Sequence, residues 1–256
     1  MKPLNVKRYR QDPSHCAIAS SGSIANFYNK NIDYEYAKAV AYSMFKDISN
    51  GLYSAQVGLL LNNLGFESVT LVSSDLFTLD YSWSSLTRRQ MVNRFEAVKK
   101  RRNLDAYGID RENIKSFSEF LRADHRDNSL VIGYNFADFI CDAIDRQEPI
   151  IITYNWTMYF KYPKTSADGT ADPLGDYTEH AVVARGYDKE GVFIVDSHHR
   201  EYVGRLKKFV NGYYKMSWDH LLSCMGQGDV IIPRRYNPDL VKQLSDTSRT
   251  SPEVCD

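Results

Sequence analysis

The sequence has no long hydrophobic run. No apolar stretch approaches the roughly 20 residues that a helix needs to cross a bilayer, so we expect no membrane-spanning segment. The basic start, Met1-Lys2-Pro3, is not followed by an apolar segment, so the pattern of a secretory signal peptide is missing. We therefore expect a cytoplasmic protein that has no membrane partner.

The chain also lacks an excess of charge of either sign. It carries 32 Lys and Arg residues against 32 Asp and Glu residues, for a formal net charge of zero. Proteins that bind nucleic acid or anionic lipid surfaces usually present clustered basic residues, which for nucleic acid are often interleaved with aromatic side chains. We therefore expect no nucleic-acid partner.

Cysteine is scarce and has no pairing pattern. The four residues are Cys16, Cys141, Cys224 and Cys255, and no two are spaced as CxxC. A disulfide framework is not expected from such scattered positions, and a reducing compartment fits them better. A thiol nucleophile would stay reduced in that compartment.

The remaining composition is that of an ordinary globular protein. Hydrophobic residues make up 43% of the chain and charged residues 25%, which is enough to build a sizeable core. Helical patterns dominate the first half, and strand patterns dominate the last third. This order predicts an α+β fold, in which N-terminal helices pack on an antiparallel sheet.

Hydrophobic periodicity and capping residues predict the individual elements. A loop enters a helix over 11–28, Ser54 is the expected cap of a helix that Gly65 ends, and Ser217 is the expected cap of a short helix. Further helices are predicted over 33–45, 54–64, 88–102 and 137–146, and strands over 66–72, 130–132, 149–154, 213–216 and 229–233.

Residues 73–127 interrupt this pattern and are predicted to form a helical insertion. Ser116 and Glu119 have the spacing of a capping box, which predicts a helix start there. The basic run 99–102 is typical of a solvated helix end, and a docking surface is the alternative. The insertion 73–127 as a whole could also serve as a partner-docking module. We expect one domain over 1–236 that contains this insertion, followed by a flexible polar tail over 237–256.

The most informative residue is Cys16, which lies at the start of the first predicted helix. The positive end of a helix dipole lowers the pKa of a thiol and favours the thiolate. Gln11 precedes it by one loop and could donate its amide to an oxyanion beside the Cys16 backbone N–H.

Two further candidates lie on a predicted β-hairpin formed by 180–187 and 192–196. His180 opens the first strand and Asp196 ends the second. An imidazole that is oriented by a carboxylate can act as the base for a cysteine nucleophile. Together the four residues predict a catalytic site made of Cys16, His180, Asp196 and Gln11.

The other histidines near these positions fit the role of the base less well. His15 adjoins Cys16, but neighbours on a helix point in different directions, so it is not the expected base. His198 and His199 closely follow Asp196, and the Asp-x-His spacing suggests a metal ligand pair that would need a third or fourth ligand. A solvated turn is the simpler interpretation, and we expect no metal and no other cofactor.

At these positions the sequence resembles the bacteriocin-processing, double-glycine-leader cysteine peptidases, a branch of the papain-like fold. The matching features are Gln11, Cys16, His180 at the head of a strand, the turn Gly186-Tyr187-Asp188, and Asp196. The segments 148–151 and 216–218 resemble the strand before the His segment and the closing helix start. The likeness leaves out 73–127 and the tail.

The resemblance implies a papain-like catalytic domain and thiol acyl-transfer chemistry. Two positions depart from the family pattern: Ala17 replaces a Gly, and Ser197 replaces a Pro. We expect a cysteine peptidase that cleaves a peptide or isopeptide bond in a peptide or protein substrate, which need not carry a double-glycine leader. The loop 161–179 before His180 is either a substrate-selecting lid or an ordinary surface loop.

Two alternatives remain open from the sequence. A transferase or amidase would use the same nucleophile, because the acyl-enzyme is common to both reactions. A papain-like protein without activity could serve as a binding or structural protein.

Overall fold

A computed structural model describes residues 2–74, 79–101, 104, 110–124, 126–133, 135–166, 169–198, 211–226 and 228–242. The helices are α1 Cys16–Tyr28, α2 Tyr34–Met44, α3 Ser54–Asn63, α4 Arg88–Lys99, α5 Arg111–Arg122, α6 Phe136–Asp145, α7 Trp156–Tyr159 and α8 Trp218–Ser223. The strands are β1 Phe66–Ser73, β2 Ser129–Ile132, β3 Ile150–Asn155, β4 Glu179–Asp188, β5 Gly191–Val195, β6 Tyr213–Ser217 and β7 Asp229–Tyr236. The α+β class predicted from the element order is confirmed.

The seven strands form one sheet in the order β2-β1-β7-β3-β4-β5-β6. Neighbouring strands are antiparallel except for β1 and β2, which run parallel. The prediction of an antiparallel sheet is therefore wrong for this one pair. The parallel pairing of β1 and β2 is possible because the segment between them, which contains α4 and α5, forms the long crossover that parallel neighbours require.

The central helix α1 is buried on all sides. Its ten residues from Ala17 to Asn26 are buried, and most of them are small. Ser20 Oγ donates a hydrogen bond to the Ala181 carbonyl of β4 at 3.2 Å. Small side chains let α1 lie close to both the sheet and α2, and the Ser20 contact places the start of α1 beside the start of β4.

The hairpin of β4 and β5 contains a β-bulge that decides which side chains share a face. The register shifts between Ala184 and Gly186, so Arg185 is an extra residue on β4. Side chains alternate between the two faces of a strand. One extra residue in a strand therefore moves the side chains beyond it to the opposite face, relative to the partner strand. If the register is continued past β5, Asp196 lies on the same face as His180 only because of this bulge.

The segment between β1 and β2 packs as part of the main core. Phe95 stacks on Phe117 with a ring-centroid distance of 5.1 Å, and Trp83 packs against Phe95 at 4.5 Å. Phe120 lies against α3 at Gly58, where an added Cβ would come within 2.4 Å of its ring. The glycine therefore allows α5 to approach α3 closely.

Several predicted helix starts and ends need correction. The N-cap of α3 is Tyr53, whereas Ser54 is its first residue. The predicted start at Ser116 is wrong because α5 begins at Arg111, where the Asp110 carboxylate accepts a hydrogen bond from the Glu112 N–H. Helix α4 ends at Lys99, and α7 was not predicted.

The predicted tail, 237–256, is described only at its start. Asn237 N donates to the Gly65 carbonyl at 2.7 Å, and Lys242 N donates to the Asn63 carbonyl at 2.8 Å. Residues 243–256 lie outside the described residues, so the flexible tail stays a prediction. Among the described helices, none is both long enough and apolar enough to span a membrane.

The packing of α5 on α3 predicts that α4 and α5 unfold together with the sheet. Phe120→Ala should lower the free energy of unfolding by about 3–5 kcal/mol, because it removes a fully buried ring. Urea unfolding of the wild type should show a single transition with the same midpoint whether it is monitored by circular dichroism or by tryptophan fluorescence. The control Tyr81→Ala, at a side chain that is 71% exposed, should change stability by less than about 0.5 kcal/mol. Separate transitions in the wild type would show that the insertion is an independent unit.

Candidate active site

An open cleft of about 1640 Å³ lies above the start of α1 and the start of β4. One wall is formed by residues between Met44 and Leu59, a second by α5, and a third by residues 176–181. Cys16 and His180 both line the cleft. The insertion between β1 and β2 therefore contributes one wall of the site.

Cys16 is the first residue of α1 and is half-buried. The preceding residue, His15, makes no side-chain capping bond to the helix, so no side chain at that position satisfies the first N–H groups. The positive end of the helix dipole is therefore directed at the thiol. Ser14 has a φ of 62°, a left-handed conformation that turns the chain sharply before the helix.

His180 and Asp196 form a buried hydrogen bond. The distance from His180 Nε2 to Asp196 Oδ1 is 2.8 Å, and the two side chains are 4% and 2% exposed. Because Nε2 contacts the carboxylate, Nδ1 is the ring nitrogen left for the thiol of Cys16. This is the arrangement in which a carboxylate fixes the tautomer and orientation of an imidazole.

The Asp196 carboxylate is held by further donors. The His198 backbone N–H donates to Oδ1 at 2.8 Å, and the Tyr214 hydroxyl donates to Oδ2 at 2.9 Å. Burial alone would raise the pKa of Asp196, but the charge and hydrogen bond of His180 and these two donors outweigh burial and lower the pKa. The carboxylate is therefore ionised despite its burial.

Cys16 and His180 shift each other's pKa in opposite directions. Burial would raise the pKa of Cys16, but the hydrogen bond and charge of His180, together with the backbone N–H groups of Ala181 and Ala17, lower it. Burial would lower the pKa of His180, but the charge and hydrogen bond of Asp196 and then of Cys16 raise it to about 10. Both shifts favour a thiolate–imidazolium pair over a neutral thiol beside a neutral imidazole.

Gln11 is fixed beside the same loop. Its backbone N donates to the Ser197 carbonyl at 2.9 Å, and its side-chain Oε1 accepts from the Ser197 hydroxyl at 2.8 Å. Gln11 is 8% exposed and lines the cleft together with Cys16. Since the oxygen of the amide is engaged by Ser197, the NH₂ group is the part that can serve a ligand in the cleft.

Aromatic side chains surround the imidazole. The His180 ring has edge contacts with Tyr154 at 6.0 Å and with His198 at 5.8 Å between ring centroids. Trp156 stacks on Tyr162 at 5.0 Å and lies 6.1 Å from His198. This shell limits the access of water to the buried pair and strengthens its electrostatic interaction.

The other histidines near the site have different surroundings. His15 Nδ1 contacts the Tyr34 hydroxyl of α2 at 3.1 Å, in agreement with the expectation that it is not the base. His198 contributes its backbone N–H and its ring as described, and His199 lies outside the described residues. Within the described part of the chain, no three His, Cys, Asp or Glu side chains are grouped as metal ligands.

The loop 161–179 contributes its last residues to the cleft. Thr165 pairs with Ala171 and with Asp176, which folds the loop back on itself. Residues 176–179 line the third wall beside His180. The lid function stays a prediction, and residues 167–168 lie outside the described residues.

The structure thus brings together all four residues that the sequence singled out, Cys16, His180, Asp196 and Gln11. Sequence reasoning missed the residues that support them: Tyr214, Ser197 and the His198 backbone. Tyr214 lies on β6 opposite Ile194, two residues before Asp196, and no local sequence pattern marks it as a partner of that carboxylate. The registers that reveal this proximity cannot be deduced from the sequence.

Residues 3–221 match the sequence profile described as the Peptidase_C39 like family. The chain belongs to this family. Membership confirms the resemblance found in the sequence, fits a papain-like α+β fold, and supports a cysteine-peptidase-like function. A provisionally assigned C39-like peptidase from Bacillus anthracis is similar in structure at 12% identity, with 91% of this chain and 97% of that chain covered and a TM-score of 0.42. No curated protein matches this chain.

The lowered pKa of Cys16 predicts selective alkylation at acidic pH. With limiting iodoacetamide at about pH 5–6, Cys16 should react before Cys141 and Cys224, because burial raises the pKa of these two thiols. In His180→Ala the Cys16 reaction should move to the pH range of ordinary thiols. Mass spectrometry of the labelled peptides measures each site. Equal alkylation rates at Cys16, Cys141 and Cys224 in the wild type would contradict the Cys16–His180 pair.

The Tyr214 hydrogen bond predicts a pH-dependent loss of stability. Tyr214→Phe should lower the free energy of unfolding at pH 7 by about 1.5–3 kcal/mol, because a buried carboxylate loses a donor. The pKa of Asp196 is lowered by folding, so its stabilising contribution is present above its unfolded pKa and is lost as pH falls through the folded pKa.

The difference in the free energy of unfolding between Tyr214→Phe and the wild type should therefore become smaller below about pH 4. Urea titrations at several pH values measure this difference. Tyr81→Phe, at an exposed tyrosine, is the control. If the free energy of unfolding of Tyr214→Phe stays below that of the wild type by the same amount down to the lowest pH, the bond to ionised Asp196 is contradicted.

Proposed function

We propose that this chain is a cysteine peptidase that cleaves a peptide or isopeptide bond through an acyl-enzyme on Cys16. The observation that carries the proposal is the series Asp196, His180 and Cys16 at the base of an open cleft. An ionised carboxylate, an imidazole of raised pKa and a thiol of lowered pKa are the parts that nucleophilic cysteine catalysis requires.

The first step is acylation of the thiol. The Cys16 sulfur attacks the carbonyl carbon of the scissile bond, and the carbonyl oxygen takes up negative charge as the C–S bond forms. His180 gives its Nδ1 proton to the departing amine nitrogen, so the C–N bond breaks and a thioester remains. Asp196 keeps the imidazole oriented during this transfer through its bond to Nε2.

The second step is hydrolysis of the thioester. His180 takes a proton from a water molecule whose oxygen attacks the thioester carbon. The C–S bond breaks, the acyl group leaves as a carboxylic acid, and the thiolate and imidazolium are restored. An amine in place of water would give the transferase reaction through the same intermediate.

Gln11 and the Cys16 backbone N–H are the proposed donors to the oxyanion. Gln11 supports this role because Ser197 engages its side-chain oxygen, which leaves its NH₂ group as the donor. Removal of one donor of this kind typically lowers kcat by about 10²–10³-fold. Alkylation of Cys16 by iodoacetamide forms no oxyanion and does not depend on this donor.

The substrate we propose is a polypeptide. The cleft is open and has three walls, so an extended chain can lie across Cys16 with residues on both sides of the scissile bond. Helix α5 forms one wall, and the insertion is thus proposed to select the substrate. Partner docking through 73–127 stays a prediction.

The test is proteolysis of reduced, unfolded casein and of a degenerate peptide library, with products identified by mass spectrometry in H₂¹⁸O. Wild type should release new C-termini that carry ¹⁸O, and Cys16→Ala should release none. Gln11→Ala should lower kcat by about 10²–10³-fold while its Cys16 alkylation rate at pH 6 stays unchanged.

Three outcomes would redirect the proposal. Full activity of Cys16→Ala would contradict the nucleophile. Products that form only when an amine is added, with the amine incorporated, would identify a transferase. No product in either assay, together with an unreactive Cys16, would favour a protein that binds peptides without cleaving them.

A further inference from the structure

The N-terminal segment 3–11, here called the strap, runs along one end of the sheet and ends at Gln11. Leu4 N donates to the carbonyl of the bulge residue Arg185 at 2.7 Å, and the Arg185 guanidinium returns a bond to the Leu4 carbonyl at 3.0 Å. The Tyr213 hydroxyl of β6 donates to the Val6 carbonyl at 3.1 Å. The strap therefore contacts β4, which carries His180, and β6 before it reaches the cleft.

Arg8, in the middle of the strap, binds the backbone beside Asp196. Its Nε donates to the Asp196 carbonyl at 2.5 Å, and its Nη2 donates to the His198 carbonyl at 2.7 Å. Gly212 makes room for this contact, because a Cβ at that position would come within 2.1 Å of Arg8 Nε. Two donors of one rigid guanidinium are thus directed at two carbonyls, a geometry that an ammonium group cannot reproduce.

The two carbonyls bracket a segment that carries three contacts of the site. The Asp196 carboxylate contacts His180, the His198 N–H donates to that carboxylate, and the Ser197 hydroxyl donates to Gln11 Oε1. A rotation of the backbone at 196–198 would therefore disturb the imidazole and the Gln11 amide together.

We propose that Arg8 is a positioning residue, which sets the orientation of the Asp196 carboxylate and the Gln11 amide by fixing the backbone of 196–198. Arg8 acts through its fork of donors rather than through its charge. It contacts no reacting group of the proposed mechanism. The inference rests on the proposed function.

The experiment compares Arg8→Lys and Arg8→Ala with the control Lys7→Ala. Lys7 is a neighbouring cation on the strap whose ammonium lies over the Tyr9 ring at 4.7 Å. The rate of Cys16 alkylation by iodoacetamide is measured from pH 4 to 10, and kcat and KM are measured on a casein-derived peptide that the wild type cleaves. Thermal unfolding of each variant reports stability separately.

Both Arg8 variants should shift the acidic limb of the alkylation profile to higher pH, because a misplaced Asp196 stabilises the imidazolium less. They should lower kcat by about 10- to 100-fold with little change in KM. Methylguanidinium should restore part of the activity of Arg8→Ala, and Lys7→Ala should match the wild type. In an Arg8→Lys background, Gln11→Ala should lower kcat by a smaller factor than it does in the wild type, because the Gln11 amide is already misplaced.

The outcomes separate this inference from the proposed function. A wild type whose Cys16 does not react at acidic pH would defeat the proposed function itself. A reactive wild type and Arg8 variants with an unchanged pH profile and kcat, whatever their thermal stability, would overturn the role of Arg8. If Arg8→Ala does not fold, Arg8→Lys keeps the side-chain stem and the charge and decides the question alone. Full activity of Arg8→Lys would also overturn the proposal, because the fork would then be unnecessary.

Discussion

The buried hydrogen bond between Asp196 and His180 is the interaction on which the site depends. An ionised carboxylate on a side chain that is 2% exposed is costly unless charged and polar partners surround it. His180, the His198 N–H and Tyr214 supply those partners, and the raised pKa of His180 follows from the same contact. The imidazolium in turn lowers the pKa of Cys16. Asp196 therefore acts on the thiol indirectly, through His180.

Two features of the backbone make that bond possible. The bulge at Arg185 places Asp196 on the face of His180, because without the extra residue the two side chains would lie on opposite faces of the hairpin. The small residues of α1 allow its start to lie against β4, which carries Cys16 to the other side of the same imidazole. The three groups thus meet through one irregularity in a strand and one closely packed helix.

Elements that depend on local sequence patterns could be predicted, whereas contacts between distant parts of the chain could not. Helix α1 and the strands on either side of the β4–β5 turn follow from hydrophobic periodicity, which is encoded locally. The parallel pairing of β1 with β2 depends on a crossover of more than fifty residues, and the start of α5 at Arg111 was obscured by the serines inside that helix. The contacts of Tyr214 and Arg8 with the Asp196 segment join residues that are far apart in the chain, and only the folded registers bring them together.

The protonation state of His180 in the resting protein is the most direct test of the thiolate–imidazolium pair. Nitrogen-15 NMR of histidine-labelled protein, with His180 assigned by comparison with His180→Ala, measures both ring nitrogens as a function of pH. We predict that both nitrogens carry protons at pH 8 and that the proton is lost only near a pKa of about 10. A neutral His180 at pH 7 beside a protonated Cys16 thiol would contradict the account, because no thiolate–imidazolium pair would then exist.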